Sequence, residues 1–302
     1  LKKRNKMNFN KTLMISRSML ALSTLLTLLF NKTEDLFPKY HLDRLKYESY
    51  DFIKYNLFLI LENDLILCKA ISIVILCLVI LGIYPRVFSF LHFYVSYSFF
   101  HSTLVQEGGD QINLILCLLI IPLCLLNNKI LGWKFEYNNL KSYQEQIVKG
   151  ALLIIQIQMC YLYFEATILK VPVEDWSNGT AVYYWFNSNV FGLNRTIKPV
   201  FDLITNIYTV SLMTWSVIVL EFFLCVSIFL NQKYKYMAFR LGFLFHFMII
   251  IIHGLPSFSI AIIAGLILYL FDHNKTFNEN IKEIVWKKHS KKYRNIQEVP
   301  IS

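Results

Sequence analysis

Residues 147–184 read IVKGALLIIQIQMCYLYFEATILKVPVEDWSNGTAVYY. From Ile147 to Leu169 the stretch is long and apolar enough to cross a bilayer as an α-helix. It stops on Lys170 and gives way to an acidic, proline-broken turn, which runs into Trp176, Gly179 and a pair of tyrosines. A lysine, carboxylates and a tryptophan at one hydrophobic boundary mark either an interfacial anchor or a reactive site.

Similar apolar runs lie on both sides: Thr12–Phe30, Leu65–Tyr84, Val87–Val105, Gln111–Leu126 with Pro122 inside it, and Ile207–Leu230. The run Leu241–Phe271 is broken at Gly254-Leu255-Pro256 and reads as one kinked helix or two short spans. With 56% hydrophobic residues in 302, the composition is that of an all-α, polytopic integral membrane bundle. The net charge of +10 is concentrated at the ends and in a few loops, which fits cytoplasmic flanks of membrane helices and not a nucleic-acid interface.

Charge also sets the expected topology. Residues 1–11 carry five Lys/Arg and form a basic cytoplasmic N-terminus. Alternation then puts Lys129, Lys134 and Lys141 inside, and likewise Lys233, Lys235 and Arg240 of the connection 231–240. Two spans in 241–271 return the tail 273–302, with Lys275, Lys282, Lys287, Lys288, Lys291, Lys292 and Arg294, to the cytoplasm. The expectation is a transmembrane domain over 12–272 with about eight spans and both ends cytoplasmic, in contact with membrane lipid. The outer connections are 31–64, 106–110, 170–206 and 254–256. Residues 171–206, rich in aromatics such as Trp185 and Phe191, are expected to roof the bundle from the headgroup layer.

Cys68, Cys77, Cys117, Cys124, Cys160 and Cys225 all fall inside apolar runs, so they read as small buried side chains and not as a disulfide framework. Ionisable groups at membrane depth each need a partner or a task. Arg17 and Glu221 fall in cytoplasmic halves of their spans and read as a structural ion pair or as two separate hydrogen-bonded sites. Gln156, Cys160, Tyr163 and Lys170 share one face of their helix. Glu165 is roughly 140° away from Lys170 around an ideal helix and is no simple partner for it. Lys170 either snorkels to the interface or, desolvated, serves as a base.

Tyr94, Tyr97, Ser98 and His101 form a polar stripe that ends at the outer boundary, level with Gly108-Gly109-Asp110-Gln111. Asp110 is placed to cap the following helix. His246 and His253 are seven residues apart, a rise of roughly 10 Å that is too long for one metal ion. A metal site would have to be built between helices, from His101, His253 and Asp110, and no ligand spacing demands one. Alternation alone puts His101, Asp110, Lys170, Asp175 and His253 at one extracytoplasmic level.

Four segments, taken in order, resemble a known family: Arg17 to Asn31, Gly108-Gly109-Asp110-Gln111, the stretch holding Tyr163, Lys170, Asp175-Trp176 and Gly179–Tyr184, and His246 to Phe258. Together they are similar to the sporulation-delaying protein B (SdpB) family of bacterial membrane proteins. That family is placed in the wider horizontally transferred transmembrane (HTTM) class, which includes the membrane part of vitamin K-dependent gamma-glutamyl carboxylase. The resemblance implies a role in maturing a secreted antimicrobial peptide from its precursor, with a small partner protein from the same operon. It also implies Lys170 as a base, in a motif continued by Asp175-Trp176 and Gly179; with the topology placing His101 at the same level, His101 and Asp175 are further catalytic candidates. Asp110, Trp176, His253 and Tyr163 would surround a cofactor, for which a reduced quinone is the analogy. A non-enzymatic scaffold, export or immunity partner for a small peptide is the alternative. A solute transporter is the weaker third, since no inverted repeat is visible.

Overall fold

The computed structural model describes residues 8–48, 50–137, 140–189, 192–194 and 196–285. The basic residues before position 8, Phe191 and the tail from Lys287 to Arg294 lie outside the described residues. The described chain is helical, apart from turns and one isolated bridge between Ile83 and Leu131.

Eight long helices fall on the expected apolar runs: α1 (Asn10–Phe30), α2 (Leu65–Leu81), α3 (Pro85–Ser102), α4 (Gly108–Leu126), α5 (Ser142–Lys170), α6 (Ile207–Val226), α7 (Gln232–His253) and α8 (Pro256–Leu270). All but α3 and α8 are long and apolar enough to cross a membrane, so the described chain carries six such helices. The protein is thus a multi-pass membrane helical bundle.

The boundaries follow local chemistry. Gly82 at φ 78° closes α2, and Pro85 opens α3 at a position where a missing N–H costs nothing. Helix α4 is interrupted at Ile120, just before Pro122, whose ring cannot continue the hydrogen-bond ladder. Gly254 at φ 68° ends α7 and Pro256 begins α8, so the run 241–271 is two helices. Helix α7 starts nine residues before Leu241, however. Lys233, Lys235 and Arg240 therefore lie on its first turns and not in a connecting loop.

Helix α8 is the centre of the bundle. Every residue from Ala261 to Leu270 is buried, and α1, α4, α5 and α7 pack around it. Small residues allow the approach, as in membrane bundles generally. Gly265 leaves room for Met159 of α5, and Gly242 of α7 faces Leu266 and Leu224. The connections 31–64 and 170–206 are built, in their described residues, of short helices. Residues 33–64 seat Phe37 and Phe58 against Phe99 of α3. The expected aromatic roof over 171–206 consists of Glu174–Ser177, Ala181–Phe186 and Lys198–Ile204.

Candidate functional site

A helical side chain leaves its backbone tilted toward the helix N-terminus. Lys170 is the last residue of α5, and its head accordingly runs back along its own helix into the bundle. Its Nζ donates to the Ala166 carbonyl at 3.0 Å, to Glu221 Oε1 at 2.9 Å and to Glu221 Oε2 at 2.8 Å. The face of Trp176 lies 5.1 Å from the same nitrogen, a cation–π arrangement. The Lys170 ammonium is thus paired within the bundle.

Glu221 is the partner that helical phase denied to Glu165. It stands on α6 and pairs with Lys170, so Arg17 and Glu221 are separate sites, and Glu221 lies level with Lys170 and not in the opposite half of its span as expected. The Arg17 guanidinium is fully buried and donates through Nη1 to the Val79 carbonyl at the end of α2, at 3.2 Å.

The turn after Lys170 delivers Trp176. Val173 N–H donates to the Lys170 carbonyl, and Trp176 N–H to that of Val173. The short helix is closed by Gly179 at φ 77°, where Thr180 N–H donates to the Asp175 carbonyl at 2.8 Å. Asp175 contributes backbone to this closure. Its side chain is exposed and does not line the cavity.

Above the ion pair is a cavity of about 510 Å³ among α5–α8, the roof and the start of α4. Lys170, Glu221, Trp176, Trp185, His253 and Glu107 all line it. His253, the last residue of α7, lies with its ring 6.4 Å from Trp185 and 6.1 Å from Phe186. Glu107 is the N-cap of α4 and accepts from Ser257 Oγ at 3.4 Å. Burial pushes its carboxyl above the usual carboxylate range, and the Ser257 bond opposes that shift.

Asp110 is buried just under this rim at the third position of α4, where it accepts from Glu107 N–H at 3.3 Å. It caps the helix and does not line the cavity. Tyr163 is also buried off the cavity, with its hydroxyl 3.3 Å from His246 Nε2. His101 lies elsewhere, against Tyr97 at 4.6 Å and Phe52 at 6.3 Å, beside the 33–64 helices. Among the described residues, no group of three or more His, Cys, Asp or Glu side chains is arranged to hold a metal ion.

The structure thus joins Lys170, Trp176 and His253, and leaves His101 and Asp175 outside. It adds Glu107 and Glu221, which sequence reasoning did not place here. A carboxylate in an otherwise apolar span had one available signal: it needed a cation, and Lys170 was the cation without a partner.

The chain is 33% identical over 270 residues to "Sporulation-delaying protein SdpB" of Bacillus subtilis, covering 87% of this chain and 81% of that one. The chain belongs to the SdpB family. A second relative of this SdpB-family protein, "Uncharacterized protein YitO" of the same organism, is 31% identical over 285 residues, covering 92% of this chain and 91% of the other. No family model and no solved structure matches the SdpB-family chain.

Proposed function

We propose that this SdpB-family protein acts in the bacterial cell membrane in the production of a secreted antimicrobial peptide, and that the Lys170–Glu221 pair is its reactive centre. The observation that carries the reading is the pair itself, a charged donor and acceptor on the wall of an otherwise largely apolar cavity. Such pairs are rare at membrane depth unless they have a task. A proton passed from Lys170 to Glu221 leaves a free amine facing the cavity, with Trp176 over it. That is the arrangement a general base needs.

The positive-inside rule supports eight spans, counting α3 and α8, with both termini cytoplasmic and the cavity toward the outer side. The resemblance to the HTTM class would imply a reduced quinone as cofactor. The lining suits a planar, uncharged ring, since Trp185, Phe245 and Phe258 supply apolar walls beside Lys170. When bound, a quinol would supply reducing equivalents. A small partner protein from the same operon would present the peptide precursor.

The test is mass spectrometry of the secreted peptide from cells carrying wild type or Lys170→Ala. Loss of the mature peptide, with the variant inserted at wild-type levels, is the expected result. Unchanged maturation would overturn the assignment and favour a scaffold.

A further inference from the structure

The end of α7 opposite His253 carries a different cluster of charge. Lys233 and Arg240 stand two turns apart on one face of that helix. An arginine side chain leans toward the N-terminus of its helix, so the Arg240 head comes down toward the level of Lys233. A further helix, α9 (Phe277–Val285), packs against α7 here. It buries Ile284 in the core and exposes Asn278, Glu279, Lys282 and Glu283. Buried Asn280 fixes it in place. Its Oδ1 accepts from the Tyr236 hydroxyl of α7 and from Asp272 N–H, both at 2.8 Å, and its Nδ2 donates to the Asp272 and Thr276 carbonyls, both at 3.0 Å. Between α7, α9 and the turn that joins α8 to α9 is a pocket of about 230 Å³. Lys233, Arg240, Lys275 and Glu283 line it, with Tyr236 between the two cations of α7. The Lys275 ammonium stands 5.8 Å from the Tyr236 ring.

Three cations thus face one carboxylate, and Glu283 is taken by Lys275 at 3.2 Å. Asp272 and Glu279, whose charges also reach Tyr236, are held by their own turns of chain. Asp272 accepts from Asn274 N–H, and Glu279 from the N–H and hydroxyl of Thr276. Among the described residues neither Lys233 nor Arg240 is in an ion pair. Arg240 Nη2 donates to the Glu283 carbonyl at 3.2 Å, and Lys233 Nζ lies 5.6 Å from the Tyr234 ring. Depth is set by α7, whose apolar run begins at Leu241, just after Arg240. Tyr234 and Met237 beside the pocket are each 42% exposed. The pocket therefore sits where α7 leaves the hydrocarbon, at the level of lipid headgroups.

We propose that this pocket binds a phosphate group, presented by a phospholipid whose headgroup is negatively charged overall. Arginine binds phosphate through paired N–H donors and lysine as a point charge, and the pocket offers both. A zwitterionic headgroup would bring its own ammonium among three cations. A phosphodiester that ends in an uncharged polyol brings none, and its hydroxyls can donate to Glu283. The lipid source follows from depth, since clustered Lys and Arg at the end of a membrane helix meet anionic headgroups first. The site lies at the other end of α7 from the cavity of Lys170 and does not rest on the reactive-centre reading.

The test is native mass spectrometry of the full chain, released from micelles that hold equimolar phosphatidylglycerol and phosphatidylcholine. Wild type is expected to retain phosphatidylglycerol over phosphatidylcholine by roughly five-fold or more. Lys233→Gln with Arg240→Gln should bring the ratio close to parity. Lys129→Gln with Lys134→Gln removes the same charge from exposed lysines outside the pocket and should leave the ratio unchanged. If the pocket double variant fails to insert, Lys233→Glu decides alone, at an exposed position with no hydrogen bond among the described residues. It should also bring the ratio close to parity. Equal retention of the two lipids by wild type overturns the site. An equal drop in both double variants replaces it with diffuse attraction to a basic surface. Displacement of the retained lipid by excess inorganic phosphate, at constant ionic strength, overturns the lipid source.

Discussion

Lys170 Nζ lies 2.8 Å from Glu221 Oε2, although the two residues are 51 positions apart and on different helices. The Glu221 side chain is 9% exposed and that of Lys170 21%. Removing one partner strands the other at membrane depth. Lys170→Met or Glu221→Leu alone should therefore destabilise the bundle by about 3 kcal/mol. The double replacement, apolar on both sides, should recover most of that loss without restoring peptide production. Melting curves of the four proteins in one detergent check the stability cycle, and coupling near zero would contradict the pairing.

Glycines give a graded series. At Gly109 a Cβ would sit 2.5 Å from the Cα of Phe258, a backbone atom that cannot step aside. Gly109→Ala should cost about 1–3 kcal/mol by forcing α4 from α8. At Gly265 the obstacle is the Met159 thioether at 2.7 Å, a flexible side chain, so Gly265→Ala should cost less. Gly150, on α5 with open space around it, should gain up to about 1 kcal/mol on replacement by alanine. The order of the three melting temperatures is the measurement.

The His273 imidazole, just past α8, is held down to about 4, chiefly by burial. Its Nε2 lies 3.5 Å from Gln156 Nε2, and its ring packs near Phe9. The unfolded chain binds this proton near pH 6.5 and the folded chain does not. Stability is therefore complete above about pH 6.5 and is lost as pH falls toward 4. His273→Phe should flatten that slope in melts at pH 7.5 and 4.5. An unchanged slope would assign the acid sensitivity elsewhere.

The Tyr163 hydroxyl meets His246 Nε2 at 3.3 Å inside the core. Tyr163→Phe should cost about 1 kcal/mol, the usual net worth of such a bond. Because neither ring touches the cavity, peptide production should persist. A full loss of product from a stably inserted Tyr163→Phe would place Tyr163 in the chemistry after all.

Much of the fold was legible because its signals are local. Apolar runs set the helices, and Gly82, Pro85, Gly254 and Pro256 set where they stop. The candidate site was only partly legible, for a geometric reason. Counting spans gives a residue's depth in the membrane but not its bearing around the bundle. His101 and His253 were expected at one depth, yet His101 turns toward Phe52 and His253 toward Trp185. Lys170 illustrates a different limit. Its position at a helix end suggested an outward lysine, and only the backward tilt of its side chain, together with Glu221 on another helix, reverses that. Asp110 carries two expectations, a helix cap and a cofactor contact, and the cap is the one its own turn of chain supplies, through the bond from Glu107 N–H.

The placement of α8 bears on how the molecule is made. Synthesis delivers helices in chain order, yet the helix around which α1, α4, α5 and α7 gather is the eighth. Until Pro256–Leu270 leaves the ribosome, the earlier helices lack the partner against which they pack in the finished chain. The bundle is closed from within by a late arrival only 15 residues long and without a charged side chain. A stop or stall shortly before Pro256 would release a chain with seven of the eight long helices of the described residues and none of their centre.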